Sequence, residues 1–237
     1  MPDNLTTEKP KVAEAVSIVA HQLKNPISIL KGYLEVLMSE DLGQLNEKQK
    51  EYLGDAVENL KRMAKTVNYL LDISRIEEGK YLLKQERFSL ADLTRTIIKD
   101  LSFWAQASNS EIILEAEENL PEALADSLKI REVIENLISN ALKYRDPGPG
   151  RITVFLKKKG KFLLFACQDR GIDIPKDDLK KVFSKFYRSE KAVEMDPSGT
   201  GLGLHINKAI VELTGGKIWF EQKKGEGIIF YFTIPHV

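Results

Sequence analysis

Apolar residues recur at Val12, Val16, Val19, Leu23, Ile27, Leu30, Leu34 and Leu37, always three or four positions apart. That period predicts one long amphipathic helix over residues 12–37. A second stripe, Leu53, Val57, Leu60, Met63, Val67, Leu70 and Leu71, follows the polar stretch 39–48 and predicts the return arm of a helical hairpin. Each arm would be roughly 40 Å long at the α-helical rise. Two helices cover only one side of each other's stripe, so the rest requires a second copy of the hairpin. The pattern therefore predicts a homodimer built on a four-helix bundle. Gly79, in Glu77-Glu78-Gly79-Lys80, is placed to cap the second helix, and a domain boundary is expected just after it.

Past that boundary, which divides the chain into 1–80 and 81–237, helix and strand patterns alternate. Ser89-Leu90-Ala91-Asp92 reads as a capping box opening a helix to residue 107, and 111–116 reads as a strand. Asp126 caps a helix over 127–144, which Pro147-Gly148-Pro149-Gly150 breaks. Strands at 151–158 and 161–168 form a hairpin about Lys159-Gly160. Helices are expected at 177–186 and 204–214, and a last hairpin pairs 217–222 with 228–234. This mixture predicts a two-layer α/β sandwich. The fold class is α plus α/β: a helical hairpin forming a dimeric four-helix bundle, followed by that sandwich.

The 237 residues, 43% hydrophobic and 30% charged, suffice for two modest domains. Thirty-five basic residues offset thirty-five acidic ones, so no global field favours nucleic acid or an anionic membrane. An anion site must be local. The single Cys167 excludes an internal disulfide and lies in an apolar run that reads as a buried strand, which suits a reducing, cytoplasmic setting. No apolar run approaches the roughly 20 residues that span a bilayer, and residues 1–11 lack the apolar core of a signal peptide. The reading is a soluble chain with no membrane segment and no candidate sensor domain.

Candidate chemistry begins on the helix over 127–144, where Asn136, Asn140 and Lys143 fall at i, i+4 and i+7 on one face. Amide oxygens suit a hard cation that bridges phosphates, and lysine suits the phosphates themselves; a solvated face with two ordinary asparagines is the alternative. Asp169 ends a strand just before Gly171, where it could accept from an adenine amino group or simply form a turn. Gly199-Thr200-Gly201-Leu202-Gly203 leads directly into a helix, an arrangement that aims backbone N–H groups at phosphate, although a glycine run alone also makes a flexible turn. Residues 183–198 carry aromatics, Lys185, Arg188, Lys191 and Pro197 with little apolar periodicity after Tyr187, which reads as a mobile lid.

His21-Gln22-Leu23-Lys24-Asn25-Pro26 on the first helix, Asn136 to Tyr144, Asp169-Arg170-Gly171, Val182 to Arg188, and the glycine run occur in one order. This set resembles the transmitter core of sensor histidine kinases, a dimerisation and histidine-phosphotransfer domain followed by a GHKL-type ATP-binding domain, from about residue 12 onward. The resemblance implies that His21 accepts the γ-phosphoryl group of ATP and passes it to an aspartate of a response-regulator receiver domain docked around residues 30–38. It also implies that Asn140 binds Mg²⁺, that Asn136, Lys143 and Tyr144 contact ATP, that Asp169 binds adenine, and that Arg188 touches phosphate in the lid. Asn25 would position water for dephosphorylation of the regulator.

Two departures qualify the resemblance. Similar proteins place an acidic residue after the histidine, where this chain has Gln22, whose amide orients the imidazole without taking its proton. They also place a glycine where this chain has Asp173, which adds bulk and charge near a polyanion and should weaken ATP binding. A kinase-impaired regulatory or phosphatase scaffold that still binds nucleotide is therefore the main alternative. A GHKL-type ATPase is the weaker one, because Asn136 stands where such enzymes carry a glutamate base. His205 and His236 have no partners at metal-ligand spacing and read as structural.

Overall fold

The structure is a computed structural model that describes residues 8–145, 148–223 and 227–237, with side chains from residue 15 onward within those spans except at 223. Residues 1–7, the side chain of Val12 and the expected helix breaker Pro147 lie outside the described residues. The chain divides into two compact units, Met1–Tyr81 and Leu82–Val237.

The first unit is a helical hairpin of α1 (Glu8–Met38) and α2 (Glu47–Glu77). Asn46 starts α2 with a reciprocal capping box: its side chain accepts from the Gln49 amide, and the Gln49 side chain accepts from its own, both at 2.9 Å. Gly79, at φ +66°, ends the helix, donating to Ile76 O while Lys80 donates to Arg75 O. Those two bonds form a Schellman motif, so the expected glycine cap is present. Pro26 lies inside α1 without ending it, and its missing N–H leaves the Gln22 carbonyl without a helical donor.

The apolar stripe of α1 splits into two seams. Ala20 and Ile27 are buried with Leu34 packed alongside, against Leu60, Val67 and Leu71 of α2. Leu23, Leu30 and Leu37, one heptad apart, remain 42%, 49% and 39% exposed. One seam closes the hairpin and the other is left over.

The second unit is a two-layer α/β sandwich. Its sheet has the order β2-β4-β5-β7-β6, formed by β2 (Ser110–Ala116), β4 (Gly150–Lys159), β5 (Phe162–Asp169), β6 (Ile218–Lys223) and β7 (Gly227–Pro235). β2 pairs parallel with β4, and the other neighbours are antiparallel. A separate two-stranded sheet joins β1 (Glu86–Phe88) to β3 (Ala123–Ala125). The helices are α3 (Leu90–Asp100), α4 (Ser102–Ala107), α5 (Ser127–Lys143), α6 (Glu190–Met195) and α7 (Gly203–Leu213). Ile130, Ile134, Leu137 and Ile138 of α5 are fully buried together with Ile152, Val154 and Leu156 of β4. Phe165 and Phe232, paired across β5 and β7, stack at 4.7 Å.

Three expectations need correction. The helix over 89–107 is two helices, broken at Leu101, whose N–H lies within reach of both Ile97 O and Lys99 O. The helix expected over 177–186 is a 3-10 turn, Lys176–Asp178, followed by turns. Its hydrogen bonds span three residues, Lys181 to Asp178 and Ser184 to Lys181, and Phe186 at φ +61° ends the run. The β1–β3 pair has no counterpart in the expected elements. No described helix is long and apolar enough to cross a membrane.

Candidate functional site

α5 displays the asparagine–lysine face. Asp126 caps its first turn by accepting from the Lys129 amide at 3.1 Å, and the apolar residues named above fix its rotation against the sheet. Asn136 is thereby buried at 6% exposure, with Asn140 half-buried one turn later and Lys143 at the exposed last turn. The Asn136 amide nitrogen has no hydrogen-bond partner among the described residues. A buried amide left in this state is costly unless a ligand or water satisfies it.

The glycine run meets α5 there. α7 starts at Gly203 with no side chain capping its first-turn N–H groups, and a Cβ on Gly203 would lie 2.7 Å from the Asn136 amide oxygen. Gly201, at φ +68°, lies so close to Phe186 that a Cβ would sit 2.7 Å from its carbonyl carbon. Leu202 is buried, and Thr200 Oγ1 accepts from its amide at 3.3 Å. Free N–H groups, an unpartnered amide and close backbone approach thus converge at one helix start, as a phosphate cradle requires.

Asp169 ends β5 at 8% exposure, and burial raises its carboxyl to about pKa 7, partly offset by the Gly171 amide. A Cβ on Gly171 would meet the Asp169 carboxylate and come within 2.7 Å of the Tyr144 carbonyl, so glycine is required for the turn to pass. Ile172 donates to that same carbonyl at 2.8 Å, tying the Asp169 turn to the end of α5. A cavity of about 470 Å³ borders Asp169 and is lined also by Ala141, Arg145, Ile152 and Gln168, but Asn136, Asn140, Lys143 and Gly203 do not line it.

Arg188 does not point free into this site. Its guanidinium donates to Gly199 O at 2.9 Å, Ala192 O at 2.5 Å and Asp196 O, spending its donors on carbonyls of the segment that follows it, residues 192–199. Lys143 is likewise engaged, 3.2 Å from Asp196 Oδ2. Asp196 escaped sequence reasoning: Asp196-Pro197-Ser198-Gly199 signals a turn, but nothing in it signals a partner on α5. Asp173 is exposed and is not at positive φ, so its backbone makes no demand that only glycine could meet.

On α1, His21 is exposed directly after Ala20, which is fully buried against α2. Gln22 and Asn25 are exposed on the same stretch. Among the described residues there is no cluster of three carboxylate, imidazole or thiol groups able to hold a metal ion. His205 instead bonds the Phe183 carbonyl at 3.0 Å, and His236 the Gly160 carbonyl at 3.0 Å. Asn140, half-buried on α5, offers an amide oxygen, a ligand type that suits a hard cation.

The model of the family described as histidine kinase-, DNA gyrase B-, and HSP90-like ATPase matches residues 125–237, and that of the His Kinase A (phospho-acceptor) domain matches 11–79. The chain is 34% identical over 229 residues to the sensor histidine kinase WalK of Bacillus subtilis, a match covering 94% of this chain and 36% of WalK. It is 32% identical over 226 residues to the circadian input-output histidine kinase CikA of Synechococcus elongatus, covering 94% and 30%. The chain thus spans about a third of the length of these curated relatives. Its fold is like that of full-length ShkA in complex with AMPPNP, at a TM-score of 0.75 and 22% identity over 94% of this chain and 46% of that one. The catalytic domain of the histidine kinase ThkA superposes at a TM-score of 0.57 with 27% identity, covering 65% of this chain and 98% of that domain.

Proposed function

We propose, since this chain belongs to the sensor histidine kinases and spans their transmitter core, that it transfers the γ-phosphoryl group of ATP to His21 and thence to a receiver-domain aspartate. The observation that carries this reading is His21 itself, exposed on α1 within the stretch matched by the phospho-acceptor model. A nucleotide-type sandwich follows in the same chain.

The unprotonated ring nitrogen of His21 attacks the γ-phosphorus in line, a nitrogen–phosphorus bond forms, and the bond to the β,γ-bridging oxygen breaks to release ADP. The remaining ring proton passes to solvent, because Gln22 can orient the imidazole through its amide oxygen but holds no basic carboxylate. Asp169 accepts from the adenine amino group. Asn136 and the first turn of α7 donate to phosphate, and Lys143 balances its charge. Asn140 would hold Mg²⁺, which neutralises phosphate charge when bound. The leftover Leu23, Leu30 and Leu37 seam supports a homodimer through a four-helix bundle.

The test is incorporation of label from γ-labelled Mg-ATP into the purified protein beside His21→Gln. Acid-labile, alkali-stable label that is lost in the variant is expected. ATP binding without label would instead support the regulatory or phosphatase scaffold, with Gln22 and Asp173 as its causes.

A further inference from the structure

The ion pair between Lys143 of α5 and Asp196 has a geometry with a consequence for ligand choice. Ser189 caps α6 by accepting from the Ala192 amide at 3.3 Å, while Arg188 gathers the carbonyls of Ala192, Asp196 and Gly199 at its other end. That clamp fixes Asp196 just past α6. One carboxylate oxygen, Oδ1, accepts from the Ser198 amide at 3.1 Å and from its hydroxyl at 2.6 Å. The other, Oδ2, is left for Lys143 of α5, 3.2 Å away across 53 residues of chain. The Asp196 side chain is only 16% exposed and that of Lys143 41%, so the pair is partly shielded from water. Burial by itself would raise the Asp196 carboxyl, but Ser198 and Lys143 outweigh it and hold it below its usual range.

We propose that Asp196 is a positioning residue that stands in for phosphate on Lys143 in the nucleotide-free protein, so that phosphate-bearing nucleotides bind by exchanging with it. This rests on the nucleotide reading of the site. A carboxylate and a phosphate oxygen compete for the same ammonium group, and Lys143 cannot serve both at full strength. Arg188 sets the competitor in place: its guanidinium holds the lid in the shape that presents Asp196, and need not touch nucleotide itself. Adenosine, which carries no phosphate, has no reason to break the pair. The exchange therefore discriminates by phosphate content.

The experiment is direct titration of the full chain with adenosine, ADP and ATP by calorimetry, using the wild type, Asp196→Asn and Asp196→Glu. Asp196→Asn keeps the turn acceptor and removes the charge. ADP and ATP should bind about fivefold more tightly to it, with adenosine unchanged, while Asp196→Glu stays near the wild type. In a Lys143→Met background the Asp196→Asn gain for ADP should vanish, whereas mere relief of general repulsion would persist there. Equal tightening of adenosine, no tightening of ADP and ATP, or a gain that survives Lys143→Met each overturns the exchange. A wild-type chain that binds none of the three ligands overturns the nucleotide reading itself, a separate failure.

Discussion

Gly203 abuts Asn136: a Cβ at the first residue of α7 would lie 2.7 Å from the amide oxygen and 2.8 Å from the amide nitrogen of that buried side chain. Gly203 is not at positive φ, so space and not backbone conformation demands the glycine. Alanine at a helix start is ordinarily stabilising by about 0.5–1 kcal/mol over glycine. Here we expect Gly203→Ala to destabilise by roughly 1–3 kcal/mol in urea unfolding, because the Asn136 side chain it would meet is buried and has little room to turn aside. In an Asn136→Ala background the same substitution should become neutral or stabilising. A penalty of unchanged size in both backgrounds would show that Asn136 is not the obstacle.

Asp169 makes stability and ligand binding depend on pH in opposite senses. Its carboxyl, raised to about 7 by burial, ionises near 4 once the chain unfolds. Between those values the folded state holds the extra proton, so stability falls as pH rises through that window and levels off above it. The loss is at most about 4 kcal/mol, and Asp169→Asn should remove this part of the pH dependence in denaturant melts. If the ionised carboxylate is the acceptor for adenine, as proposed, adenosine binding should strengthen from pH 6 to pH 8. A flat adenosine profile would remove Asp169 from base recognition.

The exposed seam of α1 yields an expectation for assembly. Leu23, Leu30 and Leu37 repeat at the heptad, flanking the seam that Ala20, Ile27 and Leu34 close against α2. Multi-angle light scattering at micromolar concentration should give a dimer. Leu30→Asp, at the middle of the seam, should raise the dimer dissociation constant by at least about 100-fold, since a charge would enter a desolvated interface. Circular dichroism should show the sandwich intact.

Gln22 is a position at which the rate of phosphorylation can be adjusted. It is exposed beside His21, and the Pro26 ring leaves its carbonyl without a helical donor. Gln22→Glu would add the missing proton acceptor without enlarging the side chain. Autophosphorylation measured by label incorporation should accelerate by about tenfold or more. An unchanged rate would show that proton removal does not limit the step.

How much of this was legible follows the range of the forces involved. The two long helices were readable because stripes repeated over about seven and five turns outweigh any local ambiguity, and Gly79 and Asp126 announced their caps by residue type. Which half of the α1 stripe would face α2 was not readable, since Ile27 and Leu30 are equally apolar. The break at Leu101 carries no glycine or proline, and the failed helix at 177–186 has ordinary helix formers. In the second case Phe186 is backed against Gly201, a contact across 15 residues that local propensity does not register. The glycine run and Asn136 were visible as types, but their contact was not. The engagement of Arg188 and Asp196 within the lid could not be seen from spacing at all.

Asp173 separates two explanations that the sequence left joined. If a glycine were needed there for backbone reasons, only Asp173→Gly would improve nucleotide binding. The residue is exposed and its φ is not positive, so backbone freedom has no part in it. What remains is a negative charge two residues past Gly171, in the turn that fixes Asp169. Asp173→Asn should therefore improve ATP affinity by the same modest factor, about twofold, as Asp173→Gly. Both gains should shrink as salt is raised, because an exposed charge is screened. Improvement by glycine alone, or a gain indifferent to ionic strength, would assign the effect to chain geometry instead of charge.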